Sequence, residues 1–191
     1  MPTPAFDADV LVVGMGPVGA ALTALLAQRG VAVIAVDQDT VVYPLPRAVH
    51  FDHEIMRLFQ QLGIADEVLR HARDLPTYEF RAADGQLLMA LPPPAETPSG
   101  WAAGYMFHQP SLDGVLRGLV GRLPNAEARL GVRLARFAQD ADGVTAELVG
   151  PEGPQTIRAR YIVGCDGAKS PVRAAIGGGL FDYQFDEPWL V

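Results

Sequence analysis

The chain has 191 residues, 49% of them hydrophobic and 19% charged, with a formal net charge of −7. That composition excludes a disordered chain and leaves room for one large domain, or a domain and a half, around a real core. The acidic balance, with fourteen Arg, Lys169 as the sole Lys and no basic stripe, argues against nucleic acid as a partner. Cys165 is the one cysteine, so no internal disulfide can form, which suits a reducing cytosol and a cytoplasmic location.

Residues 10–36 are apolar enough to suggest a membrane span, but Gln28, Arg29 and Gly30 interrupt the run, and Gly14, Gly16 and Pro17 cut it into strand-sized and helix-sized pieces. No stable membrane insertion is expected. Asp7 and Asp9 precede the run in place of a basic segment, which argues against a signal peptide. Residues 10–13 read as a strand buried on both faces. Residues 17–28 read as a helix with a small-residue face (Ala20, Ala21, Ala24, Ala27) and a C-cap at Gly30, and residues 31–36 as a second buried strand. Together they predict a parallel βαβ unit with a right-handed crossover.

Residues 41–52 read as a loop stiffened by Pro44 and Pro46, followed by helices over 53–62 and 64–71. Asp84-Gly85, between residues 77–82 and 86–91, predicts a hairpin, and LPPPAETPSG (91–100) a surface loop. A short strand at 104–107, a helix over 109–123 and three or four strands over 127–163 come next, with turns at Asp142-Gly143 and at 151–154. GCDGAKSPVR (164–173) leads into a short helix ending near Ile176, and GGGLFDYQFDEPWLV is expected to start a further strand. There is no internal repeat.

Gly14-Met15-Gly16-Pro17-Val18-Gly19 has the spacing of a dinucleotide fingerprint, with a strand before it and a helix after it. Gly14 permits the tight turn, Gly16 lets backbone approach a pyrophosphate, and Gly19 lets the helix lie close to the sheet. The phosphates then face the turn at Pro17, the free N–H groups of Val18 and Gly19 just after it, and the positive end of the helix dipole. Asp37, at the end of the second strand, can accept hydrogen bonds from a ribose and would repel a 2′-phosphate; a solvated strand-end acid and a ligand-free tight turn are the plain alternatives. The fingerprint does not separate NAD from FAD. The chain leaves the βα rhythm after Asp37 for Pro-rich loops, hairpins and a β-meander, which favours FAD.

The GPVG turn, YPLPRAVHFDHEIMRLFQQLG (43–63), YMFHQPSLDGVLR (105–117) and GCDGAKSPVR resemble the group A flavin monooxygenases, and more narrowly the 3-(3-hydroxyphenyl)propionate hydroxylases, over essentially the whole chain. The resemblance implies an α/β fold: a Rossmann-like FAD-binding domain of the glutathione-reductase type with a β-meander, plus the beginning of a β-sheet substrate domain. It assigns residues 1–75 and 101–177 to the FAD-binding region and 76–100 and 178–191 to partial substrate-domain strands. Arg47 then lies near the FAD ribose and pyrophosphate, where a guanidinium fork suits a diphosphate. Gln109 lies near the ribityl chain. Arg117 belongs to a family-like segment, with a helix-face salt bridge as the alternative. Asp166 and Gly167 form the second motif, near the pyrophosphate and linked to NAD(P)H use, although Asp166 could instead orient loop amides or pair with Arg173. Lys169 departs from the family's usual Asn.

His50, Asp52 and His53 are too compact a set for a metal, and none is expected. Asp52 reads as a helix cap; the resemblance sets His50 and Asp52 near the flavin or the substrate. Cys165 reads as a packed small residue, because no His is paired with it to activate it. The implied chemistry is hydroxylation of a phenolic aromatic acid, with NADH or NADPH as transient reductant and O2 as co-substrate. No catalytic side chain is assigned, since the cofactor carries the reactivity. The family's third FAD motif, a Gly-Asp pair, has no counterpart here, so the resemblance implies an N-terminal part of a longer enzyme. The alternatives are a non-catalytic FAD- or NAD-binding module, a truncated gene product, or a related flavin-dependent reductase or halogenase. The halogenase would carry a Trp-x-Trp-x-Ile-Pro segment that is absent. Ring substrate, choice of nicotinamide and oligomeric state stay open.

Overall fold

Strands buried on both faces read as uninterrupted apolar runs, and the first two do so. In a computed structural model describing residues 6–186, β1 (Ala8–Val13) and β2 (Val33–Asp37) lie parallel, with Leu11 opposite Ile34, joined by α1 (Pro17–Ala27). Small residues set the distance between α1 and the sheet: Gly19, Ala20, Ala24 and Ala27 are all buried.

Further along come β3 (His50–Asp52), α2 (His53–Leu62), α3 (Ala65–Leu69), β4 (Ala72–Asp74), β5 (Tyr78–Arg81), β6 (Leu87–Leu91), β7 (Gly104–Phe107) and α4 (Gln109–Val120). The chain closes with β8 (Ala126–Leu130), β9 (Arg133–Gln139), β10 (Val144–Gly150), β11 (Gly153–Gly164) and α5 (Pro171–Ala175). The described residues divide into two compact units, residues 6–43 with 116–186, and residues 44–115; the boundary falls inside α4.

The first unit is built on a six-stranded sheet in the order β8-β2-β1-β11-β10-β9. β8, β2, β1 and the end of β11 run parallel, and β9, β10 and the start of β11 form an antiparallel meander. β11 joins the two halves: it pairs with β10 from Gly153 to Ala159 and with β1 from Ala159 to Gly164. Its core takes Leu11, Val13, Ile34 and Val36 from the parallel strands, Leu134, Ala146, Leu148 and Ile157 from the meander, and Val172 from α5. Leu11 and Leu148 are wholly buried; full burial of such a side chain contributes about 1.5–3 kcal/mol.

The second unit holds a small sheet in the order β3-β7-β4 and a separate hairpin, β5-β6. Phe51 is its centre, with the rings of Phe59, Tyr105 and Phe107 at centroid distances of 5.4, 5.3 and 5.1 Å. The Oδ1 of Asp52 accepts from the Glu54 and Ile55 amides at 3.0 Å, which caps α2 as its position suggests.

Three local expectations change. The loop over 41–52 ends in β3, because β7 supplies a partner at His50, Phe51 and Asp52. The second short helix stops at Leu69, and β4 follows it on the other edge of β7. Residues 177–186 form neither helix nor strand; a strand needs a partner ladder, and none among the described residues pairs with them. Residues 187–191 of the expected strand lie outside the described residues.

The β9–β10 turn is organised by Asp140. Its Oδ1 accepts from Arg158 Nη2 at 2.6 Å and from the Asp142 and Gly143 amides at 2.9 and 3.1 Å. The Arg158 guanidinium, then the Asp142 amide, hold its carboxyl down from the ordinary 3.8 to about 2. A depressed carboxylate contributes stability that is fully present above its unfolded value and is lost as pH falls through the folded one. The stability difference between the native chain and Asp140→Asn is therefore expected to be constant above about pH 4 and to shrink as pH falls toward 2, measured by urea unfolding at each pH. A difference independent of pH would contradict this.

Candidate functional site

β1 ends at Val13, and the next residue must turn sharply. Gly14 does so with φ +102°, its amide donating to the Val36 carbonyl at 2.8 Å. A Cβ on Gly14 would strike the backbone of Cys165, and one on Gly19 would strike the carbonyl of Gly14. Both glycines are thus required by the chain's own packing. Gly16 is different. Its φ of −69° suits any residue, and beyond its own chain neighbours no protein atom lies within 4 Å of the place its Cβ would take.

That open space lies at the start of α1. Pro17 is the first helical residue, Gly16 offers no side-chain cap, and the first turn carries no acid. The early N–H groups of a helix have no intrahelical partner, and with the dipole they make a seat for an anion. Val18, on the same turn, is 68% exposed. The cradle lies at the carboxyl ends of β1, β2 and β11, where open α/β sheets bind their ligands.

Asp37 ends β2 but is not a solvated acid. Its Oδ2 accepts the Met15 amide at 2.6 Å and its Oδ1 accepts the Asp39 amide at 2.8 Å. Arg117, in the last turn of α4, donates from Nε to the Met15 carbonyl at 3.1 Å and sets Nη2 at 3.5 Å from Asp37 Oδ2. The two side chains are 15% and 13% exposed. Arg117 therefore makes an ion pair, but with a strand end eighty positions away and not along its own helix face. A carboxylate offers about four acceptor positions. These contacts occupy three, which leaves one on Oδ1 for a ribose hydroxyl. Arg117 Nη1 is buried without a hydrogen-bond partner among the described residues. A polar ligand end fits this corner.

The segment after β11 lies against the glycine turn. The Cys165 amide donates to the Val13 carbonyl at 2.7 Å. Asp166 Oδ2 accepts the Val172 amide at 3.1 Å, so Asp166 orients the loop amides that start α5. Arg173 instead donates to the Ala168 carbonyl at 2.7 Å. Asp166 Oδ1 is buried without a hydrogen-bond partner among the described residues, and Gly167 turns the chain with φ +78°. Burial, then the neighbouring Asp166 charge, push the Cys165 thiol up, which keeps it protonated and unreactive.

Arg47 and Gln109 belong to the second unit. Gln109 opens α4, and its Oε1 accepts the Arg47 amide at 2.7 Å and the Ala48 amide at 2.9 Å. The Arg47 side chain is exposed. His50 sets its ring edge-on to Tyr78 at 6.3 Å, and His53 Nδ1 lies 3.6 Å from Glu54. Within the first unit the structure brings together Gly14, Gly16, Gly19, Asp37, Arg117 and Asp166; within the second it joins Gln109 to Arg47.

Two contributors are not apparent from the sequence analysis. Met15 acts through its peptide, for which its side chain gives no signal. Ser170 accepts the Arg173 amide at 2.9 Å as N-cap of α5; a Ser directly before a Pro at a helix start is a signal that could have found it.

Residues 7–186 match a family profile described as FAD binding domain. A protein of Rhodococcus jostii (strain RHA1) named probable NADH-specific resorcinol 4-hydroxylase is 42% identical over 185 residues, 96% of this chain and 35% of that one. A 3-(3-hydroxy-phenyl)propionate/3-hydroxycinnamic acid hydroxylase of Mycolicibacterium smegmatis (strain ATCC 700084 / mc(2)155) is 36% identical, over 96% of this chain and 32% of that one. The chain thus spans about a third of the length of these curated relatives. Among solved structures, p-nitrophenol 4-monooxygenase PnpA from Pseudomonas putida DLL-E4 superposes with a TM-score of 0.82 at 30% identity, over 89% of this chain and 43% of that one. The flavin-dependent monooxygenase PieE, in complex with FAD and substrate, gives 0.80 at 26%, over 91% and 33%.

Arg117→Met is expected to lower stability by about 1.5–3 kcal/mol, the range for hydrogen bonds to charged groups. The readout is a lower urea midpoint without a change in slope. An unchanged midpoint would show that the clamp on Met15 and Asp37 contributes nothing.

Proposed function

Because the chain belongs to the FAD-binding domain family, matched over residues 7–186, we propose that it is the cofactor-holding part of a flavin-dependent monooxygenase that hydroxylates a phenolic aromatic acid. One observation carries the reading. Of the three fingerprint glycines, Gly14 and Gly19 are demanded by protein packing, whereas Gly16 faces open space that no protein atom needs. A pyrophosphate on the N-terminus of α1 accounts for that space.

In this reading the amides of Val18 and Gly19 hold the diphosphate, and the spare acceptor position of Asp37 takes a ribose hydroxyl. Arg117 keeps Asp37 and Met15 in place beneath it. Arg47 supplies a cation for the phosphates. Asp166 and Gly167 shape the wall behind the glycine turn, and Asp166 keeps one buried oxygen for a further donor. Bound FAD, reduced by NADH or NADPH, supplies the oxygen chemistry with O2; the NADH-specific name of the relative from Rhodococcus jostii favours NADH.

A small aromatic substrate is supported by the names of the relatives, which are hydroxylases of resorcinol and of hydroxyphenylpropionate. The reading keeps residues 1–75 and 101–177 as the FAD-binding region and assigns 76–100 with 178–191 to a substrate domain, of which β5 and β6 are the strands among the described residues. Tyr78, Phe80, Leu87 and Leu88, exposed on β5 and β6, agree with a role in a larger apolar assembly. No described helix is long and apolar enough to cross a membrane. A cytoplasmic location rests on the lone cysteine.

Gly16→Val is expected to fold, since nothing crowds the position, and to raise the dissociation constant for FAD by about a hundredfold or more, ~2.7 kcal/mol. Fluorescence titration of the folded variant reads it. Undiminished FAD affinity would remove the pyrophosphate from this cradle.

A further inference from the structure

Residues 43–49 carry no helix or strand, and Pro44 and Pro46 remove two of the segment's backbone donors. Most of its residues are exposed. A segment of this kind has no ladder of its own to fix its path. Before β3 begins at His50, the Arg47 and Ala48 amides meet a single acceptor, the Oε1 of Gln109.

Gln109 is suited to hold them. It is 6% exposed, and it opens a helix and so sits on a rigid element. Two N–H donors on one amide atom determine which end is which, because only the carbonyl oxygen can accept them. The other end is therefore the NH2 group, a pure donor. It makes no hydrogen bond to a described residue.

We propose that Gln109 is a positioning residue: its side-chain carbonyl fixes the backbone of Arg47 and Ala48, and so sets where the Arg47 guanidinium is presented. The clamp is made by the chain's own atoms and orders the backbone of Arg47, so only the side chain is left to order at the binding step. The proposal rests on the FAD reading only for what Arg47 is presented to; the clamp itself stands without it.

Two near-isosteric variants separate the clamp from the donor. Gln109→Met keeps length and packing but removes the acceptor. Gln109→Glu keeps an acceptor and, when ionised, strengthens it, but loses the NH2 donor. Residue-resolved amide hydrogen exchange of the full chain without cofactor is the primary readout. Exchange at Arg47 and Ala48 is expected to speed up by about tenfold in Gln109→Met, as for the loss of one hydrogen bond, and to stay near the native rate in Gln109→Glu. Native rates in the Met variant, or equally fast rates in both, would overturn the proposal. If Gln109→Met does not fold, retained protection in Gln109→Glu supports the clamp and lost protection overturns it.

FAD titration then tests the link to Arg47. In a cycle with Arg47→Ala, the Gln109→Met effect is expected to shrink once Arg47 is gone; strict additivity would overturn action through Arg47. Failure of the native chain to bind FAD would refute the proposed function and leave the exchange result as the test of the clamp.

Discussion

The peptide of Met15 is held from both sides. Its N–H is taken by Asp37 at the end of β2 and its carbonyl by Arg117 on α4. The turn that leads from β1 into α1 depends on this. Gly14 has just turned the chain sharply, and Gly16 has no side chain to anchor the start of α1. The hold on Met15 adds two bonds to the packing of Gly19 on Gly14 that sets the N-terminus of that helix against the strand ends. The cost of closing the corner falls on Asp37, which gives most of its acceptor capacity to the protein.

The same corner shows why residue types are so constrained there. The glycine turn and the Cys165-Asp166 backbone approach until neither Gly14 nor Gly19 can carry a side chain. β1 and β11 are parallel neighbours, Val13 opposite Gly164, so the loops that leave them meet at one end of the sheet. A small, protonated Cys165 fits between them. Its thiol is a packing group.

The parts legible in the sequence are those set by local physics. The apolar runs of β1 and β2, the Ala face of α1, the Asp52 cap and the Asp84-Gly85 hairpin each depend on a few adjacent residues. So does the spacing of Gly14 and Gly19, the second packing on the carbonyl of the first. Less legible are pairings made by the fold. Nothing near Arg117 says that its partner is Asp37, and nothing near Gln109 says that it holds Arg47 and Ala48. β3 and β4 are three residues each and largely exposed; only β7, lying between them, makes them strands. Residues 177–186 show the converse, an alternating aromatic pattern with no partner strand among the described residues.

The central claim is that the chain grips the adenosine diphosphate half of FAD. Competition between ligands tests it most directly, with the purified chain titrated with FAD by fluorescence and then challenged with ADP and with FMN. The account predicts that ADP displaces FAD, and that FMN, which lacks the adenosine monophosphate part and so has no diphosphate, neither binds comparably nor competes. FMN binding as tightly as FAD, or FAD indifferent to excess ADP, would contradict it.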